Sequence, residues 1–168
     1  MQTISNNHES KTARLLKNKT MLGIIAGLIS GLLKDIIDLI TYSLKITDNL
    51  FGYLASGIFV DPKTARSASG LIVGYLADFI MDGFLGLVFV YFIKNTEPDY
   101  ILSKSIGFGL SLWIFILGAV GAFKITTLPV QNPMTVLTMF FTHAFFGLVI
   151  GLIVKKYGKA AFNHQQTT

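Results

Sequence analysis

The 168-residue chain contains no cysteine. Disulfides, thiolate metal sites and cysteine nucleophiles are thereby excluded. Charge is scarce: Asp, Glu, Lys and Arg make up 14% of the residues, against about 25% in a soluble domain. Arginine, the usual clamp for phosphate groups, occurs only at Arg14 and Arg66, and histidine only at His8, His143 and His164. There is no HExxH pair and no ligand-rich loop, so neither a metal centre nor a cofactor is expected. The phosphate-cradling GxxxxGKS/T loop, the dinucleotide GxGxxG turn and the GxSxG nucleophile elbow are also missing. Nothing places a serine beside His143, and the chain reads as a protein that is not an enzyme.

What the chain does have is apolar length. Hydrophobic residues make up 52% of it, and mean hydropathy is +0.60. Four continuous apolar runs cover about 21–44, 70–93, 105–123 and 134–154. A hydrocarbon core about 30 Å thick needs about 20 helical residues to cross it. Only helices or closed barrels satisfy every backbone group there, and unbroken rather than alternating apolar runs indicate helices. The expected fold class is all-α: a polytopic membrane protein built as a bundle of four transmembrane helices. The expected organisation is a polar, basic tail over 1–19, one transmembrane domain over 20–155 and a second tail over 156–168. The first connection holds an apolar segment at 50–60, too short to span and bearing Phe51, Tyr53 and Phe59. It is read as a short interfacial helix or a packed cap over the bundle.

The net charge of +5 belongs to topology and lipid headgroups rather than to nucleic acid, because the basic residues flank the apolar runs. With an even number of spans, both ends lie on one side. That side holds nine basic residues: Lys11, Arg14, Lys17, Lys19, Lys94, Lys104, Lys155, Lys156 and Lys159. The other holds four: Lys45, Lys63, Arg66 and Lys124. The positive-inside bias therefore puts both termini in the cytoplasm, in a cell membrane.

Small residues recur at a spacing of four: Gly23, Gly27 and Gly31 in the first run, Gly70 and Gly74 in the second, Gly147 and Gly151 in the fourth. Such stripes let helix backbones approach closely. The close approach is expected mainly within the chain; a homo-oligomer or another membrane protein is the alternative partner, beside the lipid bilayer itself. The third run has no ionisable residue between Ser105 and Phe123 and is expected to be the most lipid-exposed helix.

Ionisable residues within spans are rare, costly and usually inward-facing. Six stand here: Lys34, Asp35 and Asp38 in the first run, Asp78 and Asp82 in the second, His143 in the fourth. A central charge costs about 2.5–3.5 kcal/mol on insertion scales, and each Leu or Ile returns about 0.3–0.6 kcal/mol. The first helix therefore needs partners for its charges. At 100° per residue, Lys34, Asp35 and Asp38 share the face of the glycine stripe. A charge-paired, structural core is expected to join Lys34 with Asp38 and Asp78, and His143 with Asp82. Four carboxylates against one Lys and one His leave a surplus of negative charge, so at least one Asp should carry a proton or be reached by water. Carboxylates and a His at membrane depth are proton-relay materials. The functional expectation is a small proton- or cation-linked transport or ion-conducting protein; the alternative is an accessory or scaffold protein whose charged cluster is structural.

The strings GIIAGLISGLLKDIIDLITY (23–42), GYLADFIMDGFLGLVFVYFI (74–93) and HAFFGLVIGLIV (143–154) resemble a group of small four-helix integral membrane proteins from Gram-positive, clostridia-like bacteria. The resemblance extends over most of 20–155 and rests on glycine spacing and hydrophobic pattern. It implies four transmembrane helices and a bacterial cytoplasmic membrane, and transfers no catalytic residue.

Overall fold

Three of the four long helices start where a side chain takes up an orphaned backbone donor, and the one beginning at Ile101 has no such side-chain cap. In the computed structural model, which describes residues 15–96, 99–128 and 132–163, Asn18 accepts from Met21 N and opens α1, Lys19–Ser43. After α1 come two short helices, α2 (Phe51–Ser56) and α3 (Pro62–Ala65). Asp61 caps α3 by accepting from Lys63 N and Thr64 N, with Pro62 at its start. Ser67 caps α4, Ala68–Lys94, through Gly70 N. Helix α5 spans Ile101–Phe123 and α6 spans Pro133–Asn163. Asn132 accepts from Met134 N just ahead of Pro133, a position where proline's missing N–H and fixed φ suit a helix start. Among the described residues, the non-glycine residues with positive φ are Lys45, Tyr100 and Lys124, each flanking one end of a long helix.

The described residues contain no strand. Helices α1, α4, α5 and α6 are each long and apolar enough to cross a membrane. Helix α6 runs past the expected span end to Asn163, with Ala161 buried and Phe162 packed against the core. The first part of the basic N-terminal tail, with Lys11 and Arg14, lies outside the described residues, as do Pro129 and the end of the C-terminal tail.

The four long helices form an arc in the order α4, α1, α6, α5. Lipid tails are as apolar as leucine, so close packing rather than water exclusion holds such helices together. The glycines provide it. A Cβ on Gly27 would strike the Asp82 carbonyl oxygen and lie 2.9 Å from Gly86 Cα, and one on Gly23 would lie 2.8 Å from Gly86 O. The stripe of α1 thus rests directly on α4. Gly147 and Gly151 meet Ser105 of α5, Gly70 meets the α3 backbone, and Gly74 meets the Gly52 carbonyl of α2. Helix α5 leans on α6 and hardly touches α4; only Ser105 and Gly109 of it are buried.

Two apolar clusters lie along the bundle. One joins Leu22, Phe89, Phe146, Ile150 and Val154. The other joins Leu54, Ala65, Leu128 and Met139, with Trp113 and Leu117 against it. The segment at 50–60 belongs to the second cluster. Gly52, Leu54, Ala55 and Ser56 are all buried, so this short helix packs as a cap on the bundle, while Ile58 and Phe59 after it are exposed.

Candidate functional site

Between the two apolar clusters lie all six ionisable residues singled out in the runs. Along α6, His143 falls between Met139 of one cluster and Phe146 of the other. Lys34, Asp38, Asp78, Asp82 and His143 are buried, and Asp35 is half-buried.

The cluster is organised around one ammonium group. Lys34 Nζ donates to Asp78 Oδ2 at 2.8 Å, and lies 3.5 Å from Asp35 Oδ1 and 3.6 Å from Asp82 Oδ1. It also stands 4.5 Å from the centre of the Phe51 ring, close enough for a cation–π attraction. Carboxylate oxygens of Asp35, Asp78 and Asp82 all lie within 4.8 Å of one another. Three oxygens converging from two helices could hold a cation, and the Lys34 ammonium occupies that role.

The carboxylates are unequally satisfied. Asp82 is 3% exposed, and its Oδ2 has no hydrogen-bond partner. That oxygen lies where a Cβ on Gly31 would stand, so the last glycine of the α1 stripe makes room for a carboxylate. The buried Asp35 Oδ1 likewise has no hydrogen bond and faces Lys34 only through the 3.5 Å ion pair. A buried polar atom without a partner loses its hydration without compensation.

Two expected pairings are not those observed. Among the described residues Lys34 makes no ion pair with Asp38; Asp38 Oδ2 instead accepts from Phe51 N at 2.7 Å. Leu50, at the cap position of α2, has no side chain able to take up a backbone donor, and Asp38 supplies the missing acceptor from another helix. His143 does not pair with Asp82 either. Its Nδ1 bonds the Met139 carbonyl at 2.7 Å. A carbonyl only accepts, so Nδ1 carries the proton, and in the neutral ring Nε2 is the acceptor. The ring stands edge-on to Phe51, with centroids 6.1 Å apart.

Phe51 therefore joins the cluster through its backbone N–H and through its ring, which meets both Lys34 and His143. Its sequence signal was weak: an aromatic opening the apolar stretch of the first connection. Asp48 was also missed. It accepts from Thr135 Oγ1 at 2.6 Å and ties that connection to the start of α6.

Beside the cluster lies a cavity of about 450 Å³. Lys34, Asp78, Asp82 and His143 stand on its wall, and the remaining lining is apolar, from α2 and its following loop, α4, α5 and α6. It occupies the opening that the arc leaves between α4 and α5.

No protein-family model matches the chain, and no curated protein or solved structure matches it. Fold and site alone define the class: a multi-pass, all-α membrane protein with a buried carboxylate cluster around a single lysine.

Proposed function

We propose that this is a small protein of a bacterial cytoplasmic membrane that conducts or transports a proton or a cation without covalent chemistry of its own. The observation that carries the reading is the unequal cluster: three carboxylates face one ammonium, and Asp82, near the middle of α4, keeps a buried oxygen with no partner. A cluster serving only to hold helices together gains nothing from a carboxylate it leaves unsatisfied. A group that binds and releases a proton or cation needs such a vacancy.

The basic residues flanking the spans support an orientation with both termini in the cytoplasm. Reporter fusions after residue 158 should then read as cytoplasmic, and one near Asp61 as external. The resemblance to small four-helix proteins of Gram-positive bacteria supports the choice of membrane. Purified protein in liposomes should pass protons or a monovalent cation, and Asp82→Asn should reduce that flux severalfold. Flux no greater than that of empty liposomes, across a panel of ions and pH values, would defeat the reading.

A second reading has its own observation. Lys34–Asp78 and Asp38–Phe51 are close, buried and well directed, as in an accessory or scaffold protein whose cluster is structural and whose partner is another membrane protein or a second copy. In that case the Asp→Asn variants lose folding and no flux is found.

A further inference from the structure

We infer that the cavity between α4 and α5 is a binding site for a hydrophobic organic monocation that enters sideways from the lipid. This names a substrate class for the transport reading and rests on it.

The argument begins with the walls. Apart from its polar end, the cavity is lined by residues such as Phe59, Met81, Phe84, Leu112, Phe115 and Ile116. Met81, Phe84 and Phe115 are also exposed on the outer faces of α4 and α5, in the part of those helices suited to face lipid. Since α5 hardly touches α4, the side of the cavity between these two helices has no helix covering it. A volume of about 450 Å³ falls in the range of small-molecule sites, about 300–1,000 Å³. Small ions need no such apolar volume; a bulky hydrophobic body does.

The sign of the ligand's charge follows from the polar end. Two carboxylates, Asp78 and Asp82, and one ammonium, Lys34, stand on the wall. Asp78 is engaged by Lys34 at 2.8 Å. Asp82 is held only at 3.6 Å through Oδ1, and its Oδ2, packed against Gly31 of α1, has no hydrogen bond, so its charge is the less compensated of the two. With Asp35, which faces the same ammonium from behind the wall, holding a proton, and with Asp78 and Asp82 ionised and the His143 ring neutral, the group around Lys34 carries one net negative charge. An apolar surrounding makes an uncompensated charge costly, and a single positive charge brings the wall to neutrality. An anionic amphiphile would add to the excess, because the one ammonium is already surrounded by carboxylates. A proton on the same wall also restores neutrality, so the organic cation and the proton compete for one negative charge.

The test uses the full chain in nanodiscs of phosphatidylcholine, with radiolabelled tetraphenylphosphonium as probe and tetraphenylborate as the counterpart of similar shape and opposite charge. Saturable tetraphenylphosphonium binding above that of empty nanodiscs is expected, with no saturable tetraphenylborate binding. Asp82→Asn should weaken the phosphonium affinity at least tenfold. Ala77→Phe, which adds bulk at the cavity wall without removing a charged residue, should do the same, and keeps the test decisive if Asp82→Asn fails to fold. Equal binding of the two probes, binding no greater than in empty nanodiscs, or an unchanged affinity in Ala77→Phe would overturn the inference. Proton or alkali-cation flux in liposomes is measured without the probe. Flux without phosphonium binding sinks the inference and leaves the transport reading; phosphonium binding without any flux does the reverse.

Discussion

Asp38 caps a helix to which it does not belong. Its carboxylate, on α1, accepts the backbone N–H of Phe51, the first residue of α2, at 2.7 Å. The bond fixes where the first connection turns back into the bundle, and so sets the Phe51 ring over Lys34. Hydrogen bonds to a charged group contribute about 1.5–3 kcal/mol. Asp38→Ala should lower stability by about that amount, while Asp38→Asn, which keeps an acceptor, should lose less. Thermal unfolding in detergent reads the two losses. Equal losses for Ala and Asn would show that the acceptor at Phe51 is not what matters.

Gly27 of α1 and Gly118 of α5 should behave in opposite ways. A Cβ at Gly27 meets the Asp82 carbonyl and Gly86 Cα, whereas one at Gly118 meets nothing within 4 Å. Backbone atoms cannot step aside, so Gly27→Ala should cost about 1–3 kcal/mol, the scale of overpacking. Gly118→Ala should cost nothing, since alanine is the better helix former by about 1 kcal/mol. A stable Gly27→Ala, read by the same melting experiment, would mean that α1 and α4 lie further apart than described.

Periodicity carried the long helices and their inward faces, because a span must be continuous in sequence and a helical wheel reports direction. Gly31, Lys34 and Asp38 share a buried face of α1, as their angular spacing indicates. The bare apolar pattern of α5 likewise foretold an outer helix, and only Ser105 and Gly109 of it are buried. A wheel does not report what stands opposite. Asp38 was assigned to Lys34 by their spacing of four, yet the returning connection places a backbone donor nearer. His143 is expected to pair with Asp82, yet the carbonyl four residues earlier on its own helix accepts a hydrogen bond from its Nδ1. Both differences arise where a short-range backbone partner displaces a long-range side chain. The cavity was not legible at all, since it depends on α5 pairing with α6 and leaving α4 uncovered.

Outside the spans, Asp61 offers a pH test. Its carboxylate accepts from Thr64 Oγ1 at 2.5 Å, from Thr64 N and from Lys63 N. The Thr64 hydroxyl and those backbone donors hold its carboxyl below the ordinary value. A carboxyl depressed in the folded state binds its proton more readily when unfolded. Its stabilising contribution is therefore present above the ordinary aspartate range near pH 4, and is lost as pH falls through the folded value. Acid unfolding followed by circular dichroism should show wild type losing its advantage over Asp61→Ala as pH drops below about 4. A gap that stays constant over that interval would show that capping does not depend on the ionised form.

The final prediction separates the members of the cluster from their neighbour. Lys34→Ala leaves Asp35, Asp78 and Asp82 facing one another without the ammonium that stood 2.8–3.6 Å from each. Removing one side of a buried pair costs about 3–5 kcal/mol in soluble proteins, a figure that water entry or protonation can soften in a membrane. Neutralising a carboxylate in the Lys34→Ala background should then recover stability in proportion to its closeness to the lost charge. Asp78→Asn should rescue most, Asp82→Asn in part, and Asp38→Asn not at all, because Asp38 is bonded to Phe51 rather than to the lysine. In the wild-type background Asp78→Asn removes the direct partner of Lys34, but two carboxylates remain to hold it, so its single cost should be smaller than that of Lys34→Ala. Double-mutant cycles on thermal stability in detergent measure each coupling, with contacting charged residues expected to couple by about 0.5–3 kcal/mol. Strict additivity between Lys34 and Asp78, or a rescue by Asp38→Asn equal to that by Asp78→Asn, would show that the charges are not arranged around the lysine.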